Sequence, residues 1–362
     1  MPNPPRTAPA LALIGAILLA IVLLFAWVRG VLTPARISGD TIADALQNAT
    51  GKVFPGYRRA HAKGVCVTGS FESNGAGAAL SEASLFTAGR TPVMGRFSTN
   101  SGNPEAPDAK ALFHALGLRF LLSRGEEWRM AMDHTPIFIV STPKDFLDLQ
   151  LANAVDPATG KPDPAKMPAF IATHPETQAF LAFIKEWPLP SSFVDGTYYS
   201  IHAFRFVDAQ GREQMVRWQF QPETPLTPLD PATLGDLPPS YLFDDLLTRM
   251  QQGPQRWHLI LIVANAGDPT DNATRQWQGS HRQIDAGILT LDHASAEADG
   301  ACAGFNFDPT ILPRGVAISD DPLLPTRSAV YSASFRRRAA EKPTMPDAIT
   351  TEHQGHGPGA AP

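Results

Sequence analysis

The chain has little of several features that would assign it to a common class of protein. Only two cysteines, Cys66 and Cys302, occur in 362 residues, and their spacing forms no metal or redox motif. Charged residues are 18% of the total and the formal net charge is −5, so nothing indicates a nucleic-acid or polyanionic partner. The cysteines could pair in an oxidising compartment. Two buried free thiols in a large core are the favoured interpretation.

The motifs of several enzyme classes are also absent. Neither Gly-x-Ser-x-Gly nor His-Glu-x-x-His occurs, so the chain lacks the usual signatures of α/β-hydrolases and zinc proteases. Gly75 and Gly77 form a Gly-x-Gly, but Leu80 stands where a dinucleotide-binding loop needs its third glycine. His353 and His356 belong to a polar tail, where they indicate disorder and not a metal site.

The only long apolar run lies near the amino terminus. Residues 11–28 carry no charge, and a helix of that length spans roughly 27 Å, close to the hydrocarbon thickness of a bilayer. A signal peptide is the alternative, but its apolar region is shorter and ends at a small-x-small site, whereas this run continues into Arg29. The pattern favours an uncleaved membrane anchor over residues 1–30, followed by a linker and a short helix over 31–54.

Apolar periodicity along the rest of the chain predicts two groups of strands, with helices between and after them. Strands are predicted at 65–71, 93–98, 112–122, 128–132, 137–140, 198–208, 214–221, 257–264 and 287–291. Helical periodicity occupies 143–190, with proline breaks, and 241–251. The fold class is therefore α+β, an antiparallel β-barrel of about eight strands with flanking helices, in one domain over residues 55–340. Residues 341–362 indicate a disordered tail.

A basic and aromatic pattern stands near the carboxyl end, where Arg327 precedes Tyr331 by four residues. On a helix the two lie on one face, so a permanent cation would stabilise the phenolate of a group that normally titrates near pH 10. A phenolate is a ligand for ferric iron. Arg336 and Arg338 would then suit pairing with carboxylates of the same ligand. The alternative is a basic helix end in which arginine complements the dipole and the tyrosine packs.

Four other segments precede this pair in the chain. They are Arg58-Arg59-Ala60-His61-Ala62-Lys63-Gly64, Arg96-Phe97-Ser98-Thr99, Asp133-His134-Thr135-Pro136 and Asn306-Phe307-Asp308-Pro309-Thr310. In this order, and followed by Arg-x-x-x-Tyr, they resemble the haem catalase superfamily. The resemblance is closest to the small catalase-related peroxidases, which lack the carboxyl-terminal extensions of full catalases. It covers residues 55–338, and five motifs in one order make a chance match unlikely although each motif alone is weak.

The resemblance implies a haem b cofactor and a role for each matching residue. His61 would be the distal base, and Ser98 the hydroxyl that orients its ring. Tyr331 would be the iron ligand, with Arg327 as the partner that holds it ionised. The remaining expected haem contacts are Arg58, Arg96 and Arg338 at the propionates and Phe146 on the haem face.

Asp133 departs from the family pattern, because full catalases place asparagine at this position. An amide NH₂ donates a hydrogen bond to peroxide, whereas an ionised carboxylate only accepts. Asp133 would therefore need to be protonated, with its pKa raised by burial, to do the same work. The neighbouring His134 leaves the register open and is an alternative contributor.

The expected function is reduction of hydrogen peroxide with small organic reductants, with weak or no catalase activity. Two alternatives stay open: a haem enzyme that processes lipid hydroperoxides, and a non-catalytic, membrane-tethered haem-binding module. The sequence does not determine the oligomeric state, and a homodimer is among the expected assemblies. The amino-terminal segment and the family analogy place the chain in a bacterial inner membrane, with its catalytic domain on the periplasmic side.

Overall fold

The computed structural model describes residues 7–28, 37–298 and 300–342, and the chain divides after Ser38 into two units. The first unit contains helix α1 (Thr7–Val28). Within the described parts of the chain, no helix combines the length and the apolar character that crossing a membrane requires. The predicted membrane-spanning helix is therefore not supported.

The described part of the second unit contains twelve strands, ten in one sheet and two in a separate pair. Its strands are β1 (Gly64–Ser73), β2 (Gly89–Thr99), β3 (His114–Leu121), β4 (Glu127–Asp133), β5 (Val155–Asp156), β6 (Lys161–Pro162), β7 (Tyr198–Tyr199), β8 (Phe204–Val207), β9 (Glu213–Pro222), β10 (Gln255–Val263), β11 (Gln283–Ala296) and β12 (Val316–Ile318). Eight of them close into an antiparallel barrel in the order β1-β2-β3-β4-β7-β9-β10-β11, and β11 pairs back onto β1. The predicted eight-stranded barrel is confirmed.

Helices surround the barrel. They are α2 (Gly39–Ala49), α3 (Pro143–Ala152), α4 (Lys166–Thr173), α5 (Pro175–Glu186), α6 (Tyr241–Gln252) and α7 (Leu323–Ala340). Thr142 caps α3, because its side chain accepts a hydrogen bond from the backbone N–H of Asp145. α2 packs against both α3 and α7, which places the amino-terminal and carboxyl-terminal helices of this unit side by side.

The interior of the barrel is a packed apolar core. Alternate residues of each strand point inward, and large aromatic side chains supplied this way are fully buried, among them Phe97, Phe120, Trp128, Phe220 and Trp257. Phe97 lies with its ring centroid 6.0 Å from that of Trp257. Because the interior is filled, a ligand site has to lie outside the barrel wall.

Two of the predicted strands do not form as expected. Residues 137–140 are irregular, because this apolar run packs as a loop in which Phe138 donates its backbone N–H to the carbonyl of Ala273 at 2.9 Å. The run 198–208 is interrupted by Ile201, whose φ of 64° is a conformation that β-branched residues rarely adopt. The break separates β7 from β8. The apolar pattern therefore correctly predicts strands in this region, but the prediction of one continuous strand is wrong.

The expectation of two free thiols is also wrong. Cys66 in β1 and Cys302 in the loop after β11 form a disulfide, with their Cα atoms 5.4 Å apart and 236 residues between them in sequence. Long-range pairing of this kind has no local signal in the sequence. The carboxyl-terminal end shows one further contact, since Glu341, which falls in the predicted tail, forms an ion pair with Arg59. Residues 343–362 lie outside the described part of the chain.

Candidate active site

A cavity with an empty volume of about 1180 Å³ lies against the outer face of three barrel strands. Because side chains alternate along a strand, the residues next to the core positions form two rows across β2, β3 and β4. The rows are Ser98, Ala115 and Asp133, and Arg96, Gly117 and Ala131. A Cβ at Gly117 would lie within 2.6 Å of the Phe307 ring, so the missing side chain lets this ring pack directly on the wall. All nine predicted site residues line this cavity: Arg58, His61, Arg96, Ser98, Asp133, Phe146, Arg327, Tyr331 and Arg338.

α7 closes one side of the cavity with a single face. Arg327, Tyr331, Ser334 and Arg338 all line it, at the spacing of four and three residues that aligns side chains on a helix. Arg327 Nη2 donates to Tyr331 Oη at 3.3 Å, the contact that the sequence predicted. Burial alone would lower the pKa of Arg327, but the neighbouring Tyr331 and Asp133 raise it, so this guanidinium stays charged beside the phenol oxygen.

His61 enters the cavity from the segment before β1. Its φ is 57°, a left-handed conformation that is uncommon outside glycine and that is found at functional sites. His61 Nδ1 lies 3.3 Å from Ser98 Oγ. Burial, and then the positive charges of Arg96, Arg327 and Arg58, lower the pKa of His61 to about 3. The imidazole is therefore neutral at ordinary pH and is able to accept a proton.

The structure fixes the register at Asp133 and His134. Asp133 ends β4 and faces the cavity, whereas His134 lines a separate pocket beside Trp187. His134 Nδ1 accepts the backbone N–H of His114 at 2.9 Å, so it does not substitute for Asp133. Burial raises the pKa of Asp133 to about 7, against the opposing effect of Arg327. Below that pH the carboxyl group is protonated and has an O–H to donate.

Three of the predicted arginines converge on Glu297, a carboxylate that no sequence motif marks. Glu297 Oε1 accepts from Arg58 Nη2 at 2.8 Å and from Arg338 Nη1 at 3.4 Å, while Oε2 accepts from Arg96 Nε at 2.9 Å and Nη2 at 2.7 Å. Burial alone would raise the pKa of Glu297, but Arg96, Arg58 and Arg338 lower it to about 2. The sequence offers only an indirect signal for Glu297, because clustered buried arginines need a counter-charge.

The segment 306–308 connects the barrel wall to α7. Arg129 Nη1 donates to Asn306 Oδ1 at 2.5 Å, and Ser328 of α7 donates through Oγ to Asp308 Oδ2 at 2.6 Å. Phe307 lies between these two anchors and lines the cavity. The segment Asn306-Phe307-Asp308 therefore connects the barrel wall to α7 next to Arg327.

Phe146 and Phe138 form an aromatic side of the cavity. Phe146 belongs to α3, and its ring centroid lies 5.9 Å from that of Phe138. Both rings line the cavity. The structure thus places Phe146 where a planar ligand would meet an apolar ring, and its contact with haem stays a prediction.

Arg336 does not share the position of Arg338. It donates to Asp40 at 3.1 Å and to Ser332 at 3.0 Å, all at the exposed surface. At 100° per residue, a side chain five positions after Tyr331 is rotated by about 140° from it, whereas one seven positions after is rotated by only about 20°. The hypothesis that both trailing arginines face the ligand is therefore wrong for Arg336.

The comparisons with known proteins agree with this geometry. The family model described as Catalase matches residues 37–345. The chain belongs to the catalase family. It is similar to the catalase-related peroxidase of Synechococcus elongatus, at 37% identity over 83% of this chain and 89% of the relative. It is also similar to the catalase-related peroxidase of Mycolicibacterium paratuberculosis, at 31% identity over 85% of this chain and 96% of the relative.

Solved catalase structures share the fold. Catalase A from Saccharomyces cerevisiae superposes with a TM-score of 0.70 at 19% identity, over 82% of this chain and 63% of the solved chain. A bacterial catalase gives a TM-score of 0.69 at 21% identity, over 85% and 62%. The chain thus spans about three fifths of the length of these catalases, and most of the length of the two related peroxidases.

Membership of the catalase family implies a haem cofactor, and the cavity residues fit one. Arg58 Nε is buried without a protein partner, so a donor is available in addition to those that bind Glu297. The three guanidiniums around Glu297 suit the two propionates, and the Tyr331 phenol oxygen suits ferric iron. The Phe307 and Phe146 rings, which both line the cavity, suit contact with a planar macrocycle.

Proposed function

We propose that this protein is a haem-dependent peroxidase that reduces hydrogen peroxide at the expense of small organic electron donors, with weak or no catalase activity. The observation that carries the proposal is the assembly, in one cavity, of the His61–Ser98 pair, the protonatable Asp133 and the Arg327–Tyr331 pair. The similarity to two catalase-related peroxidases supports it. The proposed cofactor is haem b, with Tyr331 as iron ligand and Arg58, Arg96 and Arg338 at the propionates.

The bound haem would supply the redox chemistry, and the protein would supply the proton transfer. With Nδ1 beside Ser98 Oγ, the ring of His61 is oriented so that Nε2 is left for the substrate. The neutral imidazole would take a proton from one peroxide oxygen and return it to the other, which makes His61 both general base and general acid. Its low pKa keeps it in the basic form before each cycle.

Asp133 would hold the peroxide during this transfer. In its protonated form the carboxyl group donates a hydrogen bond to a peroxide oxygen, as an amide would. The donor is lost when the group ionises, and a carboxylate would then repel a peroxide anion. Because the Asp133 donor is present only when the carboxyl group is protonated, the site would be less suited to dismutation of peroxide than a site with a permanent amide. This supports reduction by an organic donor as the proposed reaction.

Two variants test the proposed function. The purified holoprotein should show a high-spin ferric haem absorption band, and Tyr331→Phe should lose or strongly shift that band, because a benzyl ring cannot bind iron. His61→Ala should keep bound haem but lose peroxide-dependent oxidation of a phenolic donor. A band unchanged in Tyr331→Phe would reject the ligand assignment, and full turnover in His61→Ala would remove His61 from the proton transfer.

We also propose that the catalytic domain works outside the bacterial inner membrane. The Cys66–Cys302 disulfide supports this location, because disulfides persist in oxidising compartments and are rare in the cytosol. Protease treatment of intact spheroplasts should degrade the domain, and survival of the domain until the cells are lysed would place it inside. Self-association as a homodimer also belongs to the proposal, and sedimentation analysis of the purified protein tests it.

A further inference from the structure

We propose that Glu297 is a positioning residue that prepares Arg58, Arg96 and Arg338 for a ligand with two carboxylates. The inference rests on the proposed function in one respect, that haem is the ligand. Glu297 would act through the arginines: it neutralises part of their positive charge and fixes the direction in which their guanidinium groups point.

Glu297 is one carboxylate bound by three guanidiniums, so these four side chains together carry net positive charge, which suits an anionic ligand. Burial and the nearby Arg58 charge lower the pKa of Arg338 to about 9, so Arg338 is still a cation at neutral pH. The pKa of Glu297 is about 2, so its carboxylate is ionised over the same range.

The two Glu297 oxygens divide the arginines between them, with Oε2 bound to Arg96 and Oε1 shared by Arg58 and Arg338. The Phe305 carbonyl accepts from both Arg58 Nη1 at 3.0 Å and Arg338 Nη2 at 3.1 Å. Each of these two guanidiniums also donates to a second carbonyl, Arg58 to that of Cys302 at 3.3 Å and Arg338 to that of Ala303 at 2.9 Å. Arg58 Nε is left unpaired and buried.

Without Glu297 the three arginines would lose the anion that they share. The three cations repel one another, as the effect of Arg58 on the pKa of Arg338 shows. Flexible arginine side chains that lose their shared anion turn toward water, and a ligand would then have to order them again when it binds. Glu297 is itself fixed in place, because it follows directly after Ala296, the last residue of β11, which pairs with Val65 of β1.

The test titrates the haem-free full-length protein with ferric protoporphyrin IX and, in the same detergent, with its dimethyl ester, which lacks both carboxylates. The wild type should bind the diacid more tightly than the ester. Glu297→Gln should weaken diacid binding by at least about tenfold, or ~1.4 kcal/mol, and should leave ester binding within about twofold. Glu297→Asp, which keeps the charge, should restore part of the preference for the diacid.

Glu341→Gln is the matched control. The Glu341 carboxylate also pairs with an arginine of the segment before β1, namely Arg59, and not with the three arginines bound to Glu297. Its backbone N–H donates to the carbonyl of Arg338 at 3.3 Å, a bond that Glu341→Gln keeps. We expect both affinities of this variant to stay within about twofold of the wild type. Equal weakening of diacid and ester binding in Glu297→Gln would show a role in folding alone and overturn the inference, as would unchanged or tighter diacid binding. If the wild type binds neither porphyrin, the proposed function fails as well, so the two failures are distinguishable.

Discussion

Asp133 is the single residue whose chemistry most affects the proposed reaction. Asp133 is the last of the three outward-facing residues Ser98, Ala115 and Asp133 on the barrel wall. Burial raises its pKa to about 7. A buried carboxyl group with a raised pKa is a neutral hydrogen-bond donor below that pH and an anionic acceptor above it. The same position therefore has two chemical characters within the physiological range.

We expect the pH dependence of peroxidase activity to reveal this change. As pH rises through about 7, the wild type loses the Asp133 proton, so activity toward a phenolic donor should decline. Asp133→Asn keeps an N–H donor at every pH, and its activity should not decline in that range. With a pKa near 7, only about one tenth of Asp133 is protonated at pH 8, so the variant should exceed the wild type there by up to about tenfold. Initial rates between pH 5 and 9 measure the effect, and parallel profiles for both proteins would contradict it.

α7 shows how one helix serves two purposes with opposite faces. Arg338 shares the face of Tyr331 and lines the cavity, whereas Arg337 of the next position forms ion pairs with Asp40 and Asp44 of α2. The helix therefore carries ligand-binding cations on one side and holds α2 on the other. The hydrogen bond from Ser328 to Asp308 also fixes the position of the helix against the segment 306–308.

Removing one arginine from each face should separate the two purposes. Arg338→Ala should lower the affinity for ferric protoporphyrin IX by about tenfold or more, since a hydrogen bond to a charged group contributes roughly 1.5–3 kcal/mol. Arg336→Ala, on the exposed face, should leave that affinity within about twofold. Equilibrium titration followed by absorbance gives both values, and equal losses in the two variants would contradict the assignment of faces.

β1 contributes to the site through the absence of a side chain. A Cβ at Gly64 would lie 2.2 Å from the guanidinium carbon of Arg96, so Gly64→Ala must displace this arginine or the strand. We expect the free energy of unfolding to fall by about 1–3 kcal/mol, the usual cost of overpacking. Gly235→Ala is the control, because a Cβ there meets nothing within 4 Å, and its effect should stay within about 0.5 kcal/mol. Denaturant unfolding of the haem-free variants measures both free energies of unfolding. Equal losses in Gly64→Ala and Gly235→Ala would contradict overpacking against Arg96 as the cause.

The strands and α7 could be predicted because their signals are local. Alternation marks the core positions of β1 and β2, and the spacing of Arg327 and Tyr331 determines that they share a helical face. Glu297 could not be predicted in this way, because its three partners come from separate elements and only the barrel register brings them together. The Cys66–Cys302 pairing is only the less favoured alternative in the sequence for the same reason. The break at Ile201 could not be predicted for a different reason. Its backbone conformation is one that isoleucine disfavours, so the tertiary structure overrides the local preference.

In the second unit as a whole, the barrel provides the rigid wall on which the site is built. The packed interior fixes the positions of β2, β3 and β4, and their outward residues become one wall of the cavity. The other walls come from distant parts of the chain, the segment before β1, α3 and α7. The site thus exists only in the folded state, and contacts that hold the ends of the domain together also hold the site together.

The Cys66–Cys302 disulfide is one such contact, since it links β1 to the loop whose Cys302, Ala303 and Phe305 carbonyls bind Arg58 and Arg338. A crosslink over so long a loop lowers the entropy of the unfolded chain. The double variant Cys66→Ala/Cys302→Ala should therefore lose about 2–5 kcal/mol of unfolding free energy. Denaturant unfolding of the haem-free protein measures the loss, and the wild type in reductant should shift in the same direction as the variant. Identical midpoints for oxidised wild type and variant would show that the crosslink does not stabilise the fold. If the loop also loses its hold on the two arginines, reduction should weaken binding of ferric protoporphyrin IX more than binding of its dimethyl ester.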